Sequence, residues 1–397
     1  MFETIAIDNV KVGMYLSQIK ECEGKLQVKS QGLIKSMGTI ESLKRRGVLS
    51  IEIDTDKSIH SAARNAAEAK KPAMSKARTS SAMLDFDQHR EDLAKADKLY
   101  TQAREVQSRF VSQLRSGSSP DFDELNGICQ DIIDSVFDNH DALSCLIMLN
   151  ETSNYFAEHS LNCAILMGIF AKHRECPQAD IEDLTLAGLL MDVGMALLPD
   201  DLSTREDAYS AADITLMRTH VDIGQEVIER YADLPPLVSE IVLNHHERID
   251  GSGYPKQKSG DEISTYAQMA GIVDCYDAMI TERAYKSSKG SQEVLESLLE
   301  NKAFDTDLVE SFIQAVGLYP VGSLVHLKSG KLAIVVQRRK DRPLKPNVMA
   351  FYSIRMKHHT EVKLIDLNKS SDKILGAVRP EEFKLNLPHF FRSALLG

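Results

Sequence analysis

Apolar residues recur at steps of three and four through much of this chain, which is the spacing of amphipathic helices. One such stripe predicts a long helix over 87–114, ended by the glycine- and proline-containing segment 116–120. The stripe consists of Leu93, Ala96, Leu99, Ala103, Val106, Phe110 and Leu114. A stripe of this kind packs on its own domain or pairs with a helix of a second subunit, and the pattern leaves both open.

The segment 121–316 continues the helical pattern, so it is expected to form a helical domain. Helices are predicted near 122–138, 141–149, 154–173, 179–195, 210–231, 234–246, 264–282 and 290–315.

Both ends of the chain carry short runs typical of strands. Near the N-terminus, strands are predicted at 5–7, 10–16 and 48–53, with a short helix at 36–46. Near the C-terminus, strands are predicted at 324–327, 332–338 and 348–352.

The fold class is therefore mainly α, with a small N-terminal α+β domain and a small C-terminal β unit. Residues 56–84 are rich in Ala, Ser and Lys without periodicity, as in a flexible linker. The predicted boundaries are 1–55 for the N-terminal domain, 56–84 for the linker, 85–120 for the connecting helix, 121–317 for the helical domain and 318–397 for the β unit.

Composition narrows the class of protein. The 397 residues are 43% hydrophobic and carry a net charge of −11, which argues against nucleic acid as the main partner. No run approaches the roughly 18 apolar residues of a membrane span, and the first residues lack the pattern of a signal peptide. Six scattered cysteines without a CxxC pair favour reduced thiols and a cytoplasmic location.

The most informative segment is 245–255, His-His-Glu-Arg-Ile-Asp-Gly-Ser-Gly-Tyr-Pro. Neighbouring residues on a helix lie about 100° apart, so two adjacent imidazoles cannot both face an apolar core. Both can reach a metal from the end of a helix. The glycines and proline that follow predict a tight loop, so the segment indicates a metal centre beside a substrate loop.

Further candidate ligands lie at helix-sized intervals. They are His159, Asp192, His220 and Asp274. A single histidine in a helix is more often structural, but imidazole and carboxylate groups from several helices are how helical bundles build di-metal sites.

With Asp274-Cys-Tyr-Asp-Ala-Met279 and Arg283-Ala-Tyr-Lys286 downstream, residues 141–315 resemble the HD-GYP family of metal-dependent phosphohydrolases. The resemblance implies an HD-type helical fold and hydrolysis of cyclic di-GMP to linear pGpG, and further to GMP, in bacterial second-messenger signalling. The signature Val12-Gly-Met-Tyr15 resembles a small domain of unassigned function that often precedes this family.

The resemblance also assigns metal ligands. They are His159, Asp192, His220, His245, His246 and Asp274. Asp192 would bridge two positions, one completed by His220, His245 and His246 and the other held by His159 and Asp274. Asp192 and His246 are the candidate catalytic residues. One or two divalent ions are implied, Fe or Mn rather than Mg, and none if the site is inactive.

On the substrate side, the resemblance implies that Tyr254 and Gly253 lie against cyclic di-GMP and that Arg283 and Lys286 bind its phosphates. A guanidinium can bind phosphate through two hydrogen bonds, whereas an ammonium acts as a point charge. Diguanylate cyclases of the GGDEF type are implied as partners of the loop that contains Gly-Tyr-Pro at 253–255, called the GYP loop below. A homodimer through the helix of 85–115 is a further expectation.

The chain departs from the family pattern at three positions. Met191 replaces the histidine of the His-Asp pair, Met195 replaces a lysine that faces the scissile phosphate, and Tyr155 stands where some members have a third-metal glutamate. Thioethers suit Fe, Mn or Mg poorly, and losing one charge-stabilising group costs about a hundredfold. We therefore expect reduced activity. The alternative is an inactive module that binds cyclic di-GMP or a cyclase. Met191 and Met195 fit core packing better than a redox or copper site.

Overall fold

The computed structural model describes residues 2–12, 14–22, 32–34, 39–40, 43–44, 47–55, 81–149, 155–199, 202, 209–231, 234–281, 290–339 and 342–393. Two compact units divide the chain, Met1–Leu84 and Asp85–Gly397. No described helix is both long enough and apolar enough to cross a bilayer.

The N-terminal unit is built on a four-stranded antiparallel sheet of order β1-β4-β2-β3. Its strands are β1 (Phe2–Ala6), β2 (Tyr15–Cys22), β3 (Gly32–Leu33) and β4 (Val48–Asp54). Ile51 and Ile53 of β4 are buried against Ile34 and Ile40, so the central strand carries the core of this unit.

The predicted strand 10–16 is wrong over most of its length, because β2 begins only at Tyr15. Ile7–Asn9 forms a 3-10 turn, and the Val10 amide donates to the Ile7 carbonyl at 3.2 Å. Val10 is buried by this turn rather than by strand pairing, so its apolar character was misleading. Residues 56–80 of the predicted linker, and most of the predicted helix 36–46, lie outside the described residues.

Helix α1 (Ser81–Arg115) is the predicted long helix, and it begins six residues before the predicted start. Its apolar stripe is buried, except for the half-buried Leu99, in one core with the helical domain and the β unit. Packing on its own domain is therefore confirmed for this face of α1.

The helical domain follows. Its helices are α2 (Phe122–Leu149), α3 (Tyr155–His173), α4 (Gln178–Leu190), α5 (Ala211–Arg218), α6 (His220–Tyr231), α7 (Pro236–Asn244), α8 (Thr265–Ile280), α9 (Ser291–Glu300) and α10 (Thr306–Val316). Helix α2 bends at Asn139 (φ −156°, ψ 87°), where the sequence predicted a break. The mainly α fold class is confirmed.

Three predicted helices are interrupted. The predicted helix 179–195 ends at Leu190, and Val193–Leu197 is a separate 3-10 turn. The predicted helix 210–231 breaks at Thr219, and the predicted helix 290–315 breaks before Asp305, whose side chain accepts the Leu308 amide. Buried apolar positions continue across the first break, so periodicity could not locate it.

The C-terminal β unit is a five-stranded antiparallel sheet of order β8-β7-β6-β5-β9. The strands are β5 (Leu324–Leu327), β6 (Lys331–Gln337), β7 (Asn347–Ser353), β8 (His358–Asp366) and β9 (Ile374–Ala377), and helix α11 (Leu387–Phe391) follows. The three predicted strands are confirmed. The two edge strands were missed because β8 is largely exposed and polar and β9 is short.

A mostly buried ion pair joins this sheet to the bend of α2. Arg338 Nε donates to Asp141 Oδ1 at 2.9 Å, and the Arg338 amide donates to Oδ2 at 3.1 Å. Burial acts to raise the pKa of the Asp141 carboxyl, but the charges of Arg338 and His140 outweigh it and lower that pKa.

We expect Arg338→Ala to lower the free energy of unfolding by about 3 kcal/mol, because it leaves a buried carboxylate without its cation. Because the folded-state pKa is lowered, the contribution of Asp141 is present above the unfolded carboxyl pKa of about 3.9 and is lost as pH falls further. Urea unfolding at pH 7 measures the effect. The exposed pair Arg379–Glu382, at 3.1 Å, provides the control, since Arg379→Ala should cost under about 1 kcal/mol. Equal losses in both variants would contradict the assignment.

Candidate metal centre

Asp192 lies where the chain leaves α4, with a backbone (φ −100°, ψ 12°) that belongs to neither helix nor strand. Two residues later, Gly194 packs on the first turn of α6. A Cβ there would lie 2.0 Å from the His220 carbonyl oxygen, so only glycine permits the contact. This close approach of two backbones places Asp192 beside His220.

Two imidazoles converge on one oxygen of Asp192. His220 Nε2 lies 3.2 Å and His245 Nε2 3.7 Å from Oδ1. The two Nε2 atoms are 3.4 Å apart. The opposite nitrogen of each ring is occupied, because His220 Nδ1 donates to the Met217 carbonyl and His245 Nδ1 to the Val242 carbonyl. Nε2 is therefore the nitrogen that each ring turns to the same small volume beside Asp192.

His246 joins this group, since one donor atom from each of Asp192, His220, His245 and His246 lies within 4.8 Å of the others. Its ring centroid is 4.0 Å from that of His245. His246 Nδ1 is also 3.6 Å from Asp274 Oδ2, so it lies towards the second group.

The second group forms around the other oxygen of Asp192. His159 Nε2, from α3, is 3.1 Å from Asp192 Oδ2 and 3.2 Å from Asp274 Oδ1 of α8. Asp192 therefore turns one oxygen to each group, as a bridging carboxylate would. The structure brings all six predicted metal ligands together.

A third overlapping group contains His159, Cys163 and Asp277. Burial raises the pKa of the Cys163 thiol to about 12, and Cys163 Sγ lies 3.7 Å from His159 Nε2. Asp277 Oδ2 accepts from His159 Nδ1 at 2.7 Å. We interpret Cys163 and Asp277 as residues that hold the His159 ring in place rather than bind the metal.

The carboxylates of the centre are held in their charged form. Burial acts to raise the pKa of Asp192, but hydrogen bonds from His159, His220 and His245 outweigh it and hold that pKa well below its usual range. The pKa of Asp274 is likewise lowered, against its burial, by His159 and His246. Burial and the neighbouring His245 lower the pKa of His246, which favours its neutral, metal-binding form.

The departures from the family pattern differ in their surroundings. Met191 is fully buried in the core, as the packing interpretation predicted. Met195 is only half-buried, so it does not belong to the buried core. The side chain of Tyr155 lies outside the described part of the chain.

The loop after His246 is held by a buried carboxylate. Glu247, 3% exposed, accepts the amides of Lys256 at 2.7 Å and Lys258 at 2.9 Å. The peptide bond between Tyr254 and Pro255 is cis. Gly253 packs so tightly that a Cβ would lie 2.5 Å from the Glu247 Cα.

Tyr254 reaches the metal centre from this loop. Its ring stacks on His246 with centroids 4.5 Å apart. Arg218, which the sequence did not single out, lies over the Tyr254 ring at 4.8 Å. The predicted phosphate ligands Arg283 and Lys286 lie outside the described residues.

Three further polar residues of the site were missed, namely Asp277, Asn162 and Glu247. A signal existed for two of them, because Asn162 lies three residues after His159 and Asp277 three residues after Asp274 in apolar helices. That spacing places each on the face of the preceding ligand. Glu247 had no such signal, because its partners are backbone amides.

The donor set fits a hard or borderline divalent cation. Imidazole and carboxylate groups suit Fe and Mn. The 3.4 Å approach of two imidazole Nε2 atoms beside a carboxylate supports the same interpretation, since a shared cation would satisfy all three groups.

Comparisons with known proteins agree with this site. A family model described as HD domain matches residues 144–308, and a domain of unknown function matches 3–125. A Pseudomonas aeruginosa protein named cyclic di-GMP phosphodiesterase is 29% identical over 95% of this chain and 92% of its own length. The 3'3'-cGAMP-specific phosphodiesterase 2 of Vibrio cholerae is 29% identical over 41% of this chain and 31% of its own.

A solved structure, described as an HDG"Y"P protein from Bdellovibrio bacteriovorus, covers 79% of this chain and 98% of that protein, with a TM-score of 0.48 and 16% identity. The HD-domain match shows that residues 144–308 are similar to HD domains. Several relatives that match this region are named cyclic di-GMP phosphodiesterases.

Proposed function

We propose that this chain is a metal-dependent phosphodiesterase that hydrolyses cyclic di-GMP to linear pGpG, and further to GMP, in bacterial second-messenger signalling. The observation that carries the proposal is the convergence of His220, His245 and Asp192 Oδ1 within 3.7 Å. The relative that matches nearly the whole chain is named cyclic di-GMP phosphodiesterase.

The metal ligands in this proposal are the six residues predicted from sequence, with Asp192 bridging. One or two Fe or Mn ions bound there would activate water and neutralise charge on the phosphoryl oxygens. Asp192 stays anionic because three histidines donate to it or face it. His246 stays neutral and lies between the two groups of donors.

Part of the proposed substrate contact surface lies on the loop that contains Gly253 and Tyr254. Tyr254 offers an aromatic face beside His246, and the tight packing of Gly253 holds the loop backbone near the centre. Arg283 and Lys286 are proposed to bind the phosphates. We add Arg218, because its guanidinium lies over the ring of Tyr254 and offers a positive charge, which the side chain of Met195 lacks.

Replacing Arg218 with alanine should lower kcat/KM for cyclic di-GMP about tenfold, mainly through KM, because one charge-assisted hydrogen bond to phosphate is lost. Steady-state kinetics at fixed metal concentration measure this. Arg174→Ala removes another exposed guanidinium, outside the site, and should change nothing. If both variants match the wild type, Arg218 does not bind substrate.

Elemental analysis of protein purified without chelators, with hydrolysis assayed on the same sample, tests the proposed function. We expect one or two Fe or Mn per chain and formation of pGpG from cyclic di-GMP, with 3'3'-cGAMP assayed in parallel. Metal-loaded protein that leaves cyclic di-GMP uncut over hours would overturn the proposal. The inactive module that binds cyclic di-GMP would then take its place, and calorimetry would test it.

The partner proposals are separate. A diguanylate cyclase docked on the GYP loop predicts co-purification that depends on Tyr254. A homodimer through the helix of 85–115 would have to use faces of α1 other than its buried stripe. Pull-down with a cyclase and sedimentation of the full chain test these two ideas.

A further inference from the structure

Polar side chains of helix α1, as well as apolar ones, contact the helical domain. Tyr100, Arg104, Gln107 and Arg115 follow each other at helical spacing, so they share one face. Tyr100 is 4% and Gln107 1% exposed. Buried polar groups of this kind need hydrogen-bond partners, and here the partners lead to the metal centre.

The first connection is a relay of buried side chains. Tyr100 Oη donates to Asn162 Oδ1 at 2.8 Å, and Asn162 Nδ2 donates to Asp277 Oδ1 at 3.0 Å. Asp277 Oδ2 accepts from His159 Nδ1 at 2.7 Å. None of the four residues is more than 4% exposed. With Nδ1 held by Asp277, Nε2 is the ring nitrogen of His159 that faces Asp192 at 3.1 Å and Asp274 at 3.2 Å.

The second connection holds the backbone around Asp192. Gln107 Nε2 donates to the Leu189 carbonyl at 3.2 Å, and Arg115 Nε donates to the Ala196 carbonyl at 2.7 Å. Leu189 lies in the last turn of α4 and Ala196 in the 3-10 turn that follows, so the two carbonyls lie on either side of Asp192 along the chain. A third contact, Arg104 Nη1 to Glu158 Oε1 at 3.5 Å, lies next to His159.

We propose that α1 is the positioning element of the metal centre. The relay Tyr100–Asn162–Asp277 fixes the orientation and tautomer of His159, and Gln107 with Arg115 fixes the segment that carries Asp192. The inference rests on the metal centre proposed above. Hydrogen-bond partners behind a ligating histidine typically change metal affinity 10- to 100-fold.

The position that depends on this relay is the one weakened by Met191. With a thioether in place of an imidazole, the donors left there are His159, Asp192 and Asp274. A site with few donors tolerates misorientation of any one of them poorly. We therefore expect substitutions in the relay to affect metal affinity more strongly than the free energy of unfolding.

Calorimetric titration of the metal-stripped chain with Mn²⁺ tests the relay. Tyr100→Phe keeps the buried ring and removes only the hydroxyl, so Mn²⁺ affinity should fall about fivefold. Asp277→Asn should lower it about 10- to 100-fold. Because both act through His159, adding Tyr100→Phe to Asp277→Asn should produce no further loss. Gln107→Leu tests the second connection and should also weaken binding.

Tyr266→Phe is the matched control. It removes a tyrosine–carboxylate hydrogen bond, to Asp180 Oδ2 at 2.6 Å, at the start of the same helix that carries Asp274. Mn²⁺ affinity should be unchanged in it. Two results would overturn the relay while leaving the phosphodiesterase proposal intact. One is unchanged Mn²⁺ affinity in Tyr100→Phe, and the other is that Tyr100→Phe lowers Mn²⁺ affinity by the same factor whether or not Asp277→Asn is present. A wild-type chain that binds no metal would overturn both.

Discussion

Replacing Asp192 with asparagine should strip the chain of metal and lower hydrolysis of cyclic di-GMP at least about a thousandfold. The two oxygens of Asp192 face different donor groups, Oδ1 towards His220 and Oδ2 towards His159. Asparagine keeps the volume but removes the charge and offers an amide nitrogen to one of the two groups. Both metal positions are damaged by this single change.

Metal content and turnover measured on the same sample check the prediction. Asp222→Asn is the matched control, because Asp222 is an exposed acid in the first turn of α6, two residues after His220. It should keep wild-type metal content and turnover. Far-ultraviolet circular dichroism should be similar for all three proteins. An Asp192→Asn chain that retains full metal would show that the bridging assignment is wrong.

The sequence singled out the six candidate ligands that the structure brings together, but not the residues that support them. The set His159, Asp192, His220, His245, His246 and Asp274 was found because each residue is chemically suited to bind a metal and lies in a motif. Tyr100 lies 62 residues from its partner Asn162 and looks like an ordinary core aromatic in a helical stripe. Contacts of that kind depend on how helices pack, and periodicity carries no such information.

The helix breaks show a related limit. Asp192 lies in an irregular segment and His220 at the first residue of a new helix, although both were predicted inside longer helical segments. Tertiary contacts decide these breaks, such as Gly194 against the His220 backbone. A run of buried apolar residues continues through the break after Leu190, so the pattern favoured a continuous helix there.

Restoring the family residues should raise turnover, and Met195→Lys should give the larger gain, about a hundredfold in kcat. Met195 is half-buried, so a lysine there can keep its ammonium in water or extend it towards the substrate phosphate. Metal content should not change. Met195→Gln is the control, because it has a similar length without the charge, and it should give no comparable gain.

Met191→His is expected to behave differently, because Met191 is fully buried at the end of α4. A buried imidazole without a partner costs about 1–3 kcal/mol, so the metal-stripped variant should melt below the wild type. If the new imidazole ligates, binding adds stability to the native state only. The rise of Tm on adding Mn²⁺ should then exceed that of the wild type. Met191→Leu keeps the packing and should show no added rise.

The two substitutions separate two explanations of the departures. If Met195→Lys raises kcat and Met191→His raises the metal-dependent Tm shift, the remaining site is intact and only these two groups limit the chemistry. If neither measurement changes, then the loss extends to parts of the site beyond Met191 and Met195, and the expectation of a reduced but recoverable phosphodiesterase is wrong. A gain in Tm shift without a gain in kcat would place the limitation on the phosphate side, where Arg218 and Tyr254 lie together.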